Sequence, residues 1–223
     1  MANKITGCVF DLDGTLADTA PDIALALNKS LNDVGYRQLP LESVKRMIGN
    51  GIPVLVRRAL FHVEAPDNLA PDVITSMLSY SRKYYCEKSS LMHGVENCLE
   101  GLKKRAIPMS VCTNKDETVA QMVVSALGLN SYFNTIVGSR PDLVKKPDPS
   151  MLQIAAEAIN SPIETTMMIG DSEVDAATGI AASSISVIVR GGYCRKPYEE
   201  LNVAHLLDSI EELLDIIDNQ YAR

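Results

Sequence analysis

Four short segments place acids, a hydroxyl and a lysine where apolar stretches end. The first, Phe10-Asp11-Leu12-Asp13-Gly14-Thr15, sets two carboxylates at i and i+2, on one side of an extended chain. Acids this close repel unless a cation lies between them or one keeps its proton. The pair therefore suits metal binding or acid–base chemistry; read alone, it serves equally as an Asp-rich turn around Gly14. The second, Val111-Cys112-Thr113-Asn114-Lys115, offers a hydroxyl and then backbone amides, which suits phosphate oxygens. A Thr capping a helix near Lys115 is the commoner use of such a residue. The third, Lys145-Lys146-Pro147-Asp148-Pro149, precedes a helix; a lysine there can neutralise phosphate or a neighbouring Asp, or simply sit in a solvated basic turn. Of the two, Lys146, held next to Pro147, is the better candidate. The fourth, Gly170-Asp171-Ser172-Glu173-Val174-Asp175, brings two acids one helical turn apart, fit for a hard oxygen-seeking cation or for capping the helix after Ser172.

The elements that must position these residues follow from periodicity. Ile5–Phe10, Pro108–Cys112, Thr135–Val137, Thr166–Ile169 and Ile185–Val189 read as buried strands. Helical patterns at Val95–Arg105, Glu117–Leu127, Pro149–Ile159 and Glu173–Ala182 alternate with them, and a last helix spans Ser209–Ile217 after a short apolar piece around Val203–Leu206. That alternation predicts an α/β fold, a Rossmann-like parallel sheet with helices on both faces. All four segments then lie at carboxyl ends of strands or just before a helix, the side where open α/β sheets bind ligands.

One stretch breaks the alternation. Ala20–Val34, Leu41–Met47, Ile52–Leu60 and Pro71–Tyr85 all read helical, and Ile23, Leu27, Leu31 and Val34 share one face of the first. The expected organisation is a core of residues 1–17 and 89–223 with an all-helical domain, 18–88, inserted after the first strand.

Composition narrows the function classes. A chain of 223 residues with 46% hydrophobic and 22% charged residues can bury a sizeable core. Its net charge of −7, without a basic block, disfavours nucleic acid and anionic membranes as partners. No run approaches the ~20 apolar residues of a membrane span, and the start lacks a secretory pattern. The five cysteines are odd in number and lack metal-ligand spacing; a cytoplasmic location and a monomer or homodimer are expected.

In fixed order the four segments resemble the motifs of the haloacid-dehalogenase superfamily: Asp-x-Asp-Gly-Thr, Ser/Thr, Lys and Gly-Asp-x-x-x-Asp. The resemblance implies a phosphatase in which Asp11 attacks phosphorus and forms an aspartyl-phosphate. Asp13 would protonate the leaving alcohol and later take a proton from water. Thr113 and the amide of Asn114 would hold phosphoryl oxygens, and Lys146 would screen the charge between Asp11 and phosphate. Mg2+ would be bound by Asp11, the backbone carbonyl of Asp13, and Asp171, with Asp175 in support. An acid at position 13 favours phosphotransfer, since superfamily dehalogenases have no leaving alcohol to protonate and lack that acid.

The helical insert matches the family's cap. Its stretches 13–23 and 48–60, with Gly49-Asn50-Gly51 followed by Arg57 and Arg58, resemble phosphoglycolate phosphatases. On that resemblance the loop and Arg57 are expected to bind substrate, with Arg58 and Arg46 as other candidates for gripping a carboxylate. His93 stands where the subgroup has Pro, and Gly138–Val144 departs from its usual Gly-Gly-Asp pattern. The substrate implied is a small phosphate monoester, 2-phosphoglycolate first, with sugar phosphate or pyrophosphate as alternatives. A two-component receiver is a shorter domain without such an insert. A sugar-phosphate mutase of this superfamily would carry a cap His where Ile23 stands, and a phosphonate-cleaving relative a cap Lys, for which Lys45 is the candidate.

Overall fold

The computed structural model describes residues 4–221. Its main sheet joins β1 (Gly7–Phe10), β4 (Met109–Asp116), β5 (Thr135–Ser139), β6 (Thr166–Gly170), β7 (Ile185–Val189) and β8 (His205–Leu207), all parallel. Their order is β5-β4-β1-β6-β7-β8. The chain winds outward from β1 on one side through β4 and β5, then on the other through β6, β7 and β8. The reversal beside β1 is the switch point at which such sheets open a crevice.

Every residue of β1 is buried, as a central strand demands. Cys8 and Phe10 face α5 (Val95–Lys104), α6 (Glu117–Ala126) and α9 (Glu212–Gln220) in a cluster with Val111, Ile169 and Leu99. Val9 faces the opposite layer, where Met151, Leu152 and Ala155 of α7 (Ser150–Glu157) pack with Ala182 of α8 (Glu173–Ala182). The period-2 alternation of β1 thus divides the two layers.

The five expected strands and five core helices are present, with two differences. β4 continues to Asp116 instead of ending at Cys112, its register against β5 shifting between those residues. A sixth strand, β8, occupies the apolar piece near Leu206.

The insert is helical: α1 (Ala20–Asp33), α2 (Leu41–Lys45), α3 (Ile52–His62) and α4 (Ala70–Lys83). Leu27, Leu31, Val56, Leu60, Val73 and Met77 form its own apolar cluster. Two residues of β2 (Ala17–Asp18) pair antiparallel with β3 (Ser90–Leu91) where the chain leaves and re-enters the core. These strands are too short for a hydrophobic period to announce. Asp22 ties the return segment down, accepting from the amides of Lys88 and Ser89 at 3.0 and 2.8 Å. No helix among the described residues is long and apolar enough to cross a membrane.

Candidate active site

The sheet delivers three acids to one point. Asp11 follows β1 directly, its amide bonded to Ile169 O at 2.8 Å, the next rung of the β1–β6 ladder. Asp171 follows β6, and Asp175 is the third residue of α8. Carboxylate oxygens of the three lie within 4.8 Å of one another, all buried. Gly14 lets the β1 loop turn beside them: its φ is +92°, and a Cβ there would stand 2.6 Å from Asp171 Oδ2.

Lys146 reaches the cluster from the β5–α7 connection. Its ammonium donates to Asp175 Oδ1 at 2.7 Å and Cys112 O at 2.8 Å, and lies 3.0 Å from Asp11 Oδ1. The Asp11 contact is off the hydrogen-bonding line, so Asp11 Oδ1 is buried with no donor. Asp171 is oriented by the Thr15 hydroxyl at 2.9 Å and the Tyr193 amide at 2.5 Å.

Three buried carboxylates against one ammonium leave an excess of negative charge, and the titration behaviour reflects it. Burial pushes Asp11 up to about 7; Lys146 opposes the rise, while Asp175 and Asp13 add to it. Burial, then Asp175 and Asp11, raise Asp171 well above the carboxylate range. Burial works against the Lys146 charge, but Asp11 and Asp175 outweigh it and hold the ammonium more firmly protonated than an ordinary lysine. An orphaned buried carboxylate oxygen within an under-neutralised, all-oxygen donor set fits a hard divalent cation. Asp13 contributes no carboxylate to that set. Its Oδ1 accepts from Lys115 at 2.7 Å and Thr19 at 2.6 Å, which leaves its backbone carbonyl as the expected ligand.

Above the acids a cavity of about 330 Å3 opens between core and insert. Asp11, Asp13, Thr113 and Asn114 line its polar end, and Ile23, Ile52 and Met77 its apolar side. Thr113 does not cap α6; Asp116 does, accepting from Val119 N at 3.2 Å. The Asn114 side chain is structural: it brackets Lys146, donating to its carbonyl at 3.0 Å and accepting from its amide at 2.9 Å. It also donates to Gly49 O at 3.0 Å, tying core to insert.

On the insert side the expectations need correction. Gly49 and Gly51 line the cavity, but Asn50 does not: its amide oxygen accepts from Arg58 at 2.9 Å and Arg195 at 2.8 Å. Arg57 points into solvent and pairs with Asp67. Arg58 is held by Met47 O, and Arg46 is exposed. None of the three arginines lines the cavity. The face of α3 that packs inward carries Leu55, Val56, Ala59 and Leu60, so Arg57 is turned outward.

The family model described as haloacid dehalogenase-like hydrolase matches residues 8–189. The chain belongs to that family. Among curated relatives, a phosphoglycolate phosphatase of Cereibacter sphaeroides is 35% identical over 95% of this chain and 97% of its own. One of Colwellia psychrerythraea is 34% identical over 83% and 84%. A crystal structure from Haemophilus somnus 129pt, described as a predicted phosphoglycolate phosphatase, superposes with a TM-score of 0.88 at 27% identity, covering 95% and 97%.

Four residues of this hydrolase's site escaped the sequence reading. Thr15, within the first motif, orients Asp171, and Thr19, four residues beyond it, orients Asp13; spacing gave neither a separate signal. Lys115, adjacent to Thr113 and Asn114, reads as a helix-start residue until β4 is seen to run past it. Tyr193 arrives from the loop after β7; besides its amide bond to Asp171, its hydroxyl donates to Asp18 Oδ1 at 2.7 Å. His93, the departure at the return to the core, is an exposed loop residue.

Proposed function

We propose that this hydrolase is a magnesium-dependent phosphatase whose favoured substrate is 2-phosphoglycolate. The observation that carries the reading is the Asp11 carboxylate at the polar end of the cavity, grouped with Asp171, Asp175 and Lys146. Magnesium, when bound by Asp11, Asp171 and the Asp13 carbonyl, would supply the positive charge that lets an anionic nucleophile approach an anionic phosphate.

The chain's own residues perform the steps. The Asp11 carboxylate attacks phosphorus as the bond to the leaving oxygen breaks, giving an aspartyl-phosphate. Asp13 hands its proton to the departing alkoxide. The contacts from Lys115 and Thr19 both fall on Oδ1, which leaves Oδ2 to carry that proton. Water then attacks phosphorus, gives its proton to Asp13, and releases phosphate and the Asp11 carboxylate. Thr113 and the Asn114 amide hold the phosphoryl oxygens, and Lys146 balances charge beside Asp11 throughout.

The relatives named phosphoglycolate phosphatases support the substrate. Ile23 lines the cavity at the position where superfamily mutases carry a histidine, which favours water over a second sugar hydroxyl as the acceptor. Five free cysteines suit a reducing compartment such as the cytoplasm. The test is kcat/KM on 2-phosphoglycolate, a sugar phosphate and pyrophosphate, with magnesium and after exhaustive chelation. Phosphoglycolate should lead, and chelation should abolish turnover. Preference for either competitor would overturn the substrate, and activity surviving chelation the metal.

A further inference from the structure

With the arginines of the insert directed elsewhere, the cavity holds another cation suited to reading the leaving group. Three basic side chains line it: Lys115, Arg140 and Lys145. Lys115 is paired with Asp13, and Arg140 with Glu117 and Asp142 at 3.3 and 3.4 Å. Lys145 has no salt-bridge partner among the described residues. The acid nearest in influence, Asp116, is occupied capping α6 and lies 3.8 Å from Arg82.

Lys145 also sits in a built position. It is half-buried, and its ammonium lies against Gly51, where a Cβ would stand only 2.8 Å from Nζ. That same Cβ would be 3.4 Å from Asn114 O. The ammonium is therefore lodged between the glycine loop of the insert and the turn expected to bind phosphate. Burial lowers its affinity for a proton, a cost that an incoming anion would offset.

We propose that Lys145 is the specificity-determining residue of this site, gripping a carboxylate on the leaving group of the phosphate ester. The assignment rests on the phosphatase reading above and adds which side chain selects the substrate. A substrate bound this way is anchored at both ends, its phosphate at Asp11 and the carboxylate of its leaving group at Lys145, and Gly51 keeps room for the lysine tip.

The experiment compares 2-phosphoglycolate with ethyl phosphate, which has the same carbon skeleton length without the carboxylate. kcat/KM for both is measured on wild type, Lys145→Gln and Lys145→Arg. In wild type the ratio should strongly favour phosphoglycolate. In Lys145→Gln it should fall roughly 10- to 100-fold, mainly through KM, the scale of a lost charge-assisted hydrogen bond. Lys145→Arg should restore much of it, which a merely structural role would not predict. An unchanged ratio in Lys145→Gln overturns the assignment. If wild type hydrolyses both esters without preference, the phosphoglycolate reading fails on its own. The same ratio is then taken for longer carboxylated esters, 3-phosphoglycerate and phospholactate. If Lys145→Gln shifts none of these, the Lys145 assignment falls as well.

Discussion

Asp11 is in tension with its surroundings. As the proposed nucleophile it would have to be ionised to attack, yet burial and two neighbouring acids push it up to about 7. An acid whose affinity for protons is higher in the folded than in the unfolded state stabilises the fold at low pH and loses that contribution as pH rises through the folded value. Asp171 shifts the same way. The metal-free protein should therefore lose stability from these groups as pH climbs from about 4, the ordinary carboxylate value, through about 7. A divalent cation competes with those protons, so magnesium should raise the melting temperature more at pH 8 than at pH 6. Asp11→Asn removes one of the clustered charges and should melt higher than wild type at pH 8 without metal, with a smaller magnesium response. Equal magnesium shifts at the two pH values, or a less stable Asp11→Asn, would contradict this account of the charge balance.

At the scale of elements, the turn after β4 shows what a sequence can and cannot announce. Position at a strand end singles out Thr113, but apolar character stops at Cys112, which makes that residue look like the end of the strand. Polar residues continue the strand to Asp116, and this extension carries Lys115 to Asp13 and moves the cap of α6 to Asp116. Asn114 carries more of the architecture than the cap does, since its side chain satisfies both backbone groups of Lys146 and the Gly49 carbonyl. Asn114→Ala should cost about 2–4 kcal/mol in urea unfolding, because buried backbone groups lose their partners. Asp116→Ala should cost about 1 kcal/mol, the usual loss of a helix cap. The reverse order would mean that the Lys146 backbone finds other partners.

Over the whole molecule, the acids near β1 were legible because each sits in a short motif that ends a plain apolar run, and strand ends bring Asp11 and Asp171 together whenever β1 and β6 are neighbours. The helical insert was legible as helices for the same reason. Contacts between insert and core were not, because they depend on how two packed bodies meet. No spacing rule tells that Arg57 turns outward to Asp67, or that Lys145 lies under Gly51. Tyr193 joins Asp171 only through the fold, from a loop after β7 that carries no motif. The proposed mechanism turns on one covalent event at the centre of this assembly. Acid quenching during turnover of the fastest phosphate ester, followed by mass analysis of the digested protein, tests it directly. A single phosphoryl group on the peptide that holds Asp11, absent from Asp11→Asn, is the expected result; turnover with no phosphoryl group trapped on Asp11, or with one trapped on another residue, would contradict the account.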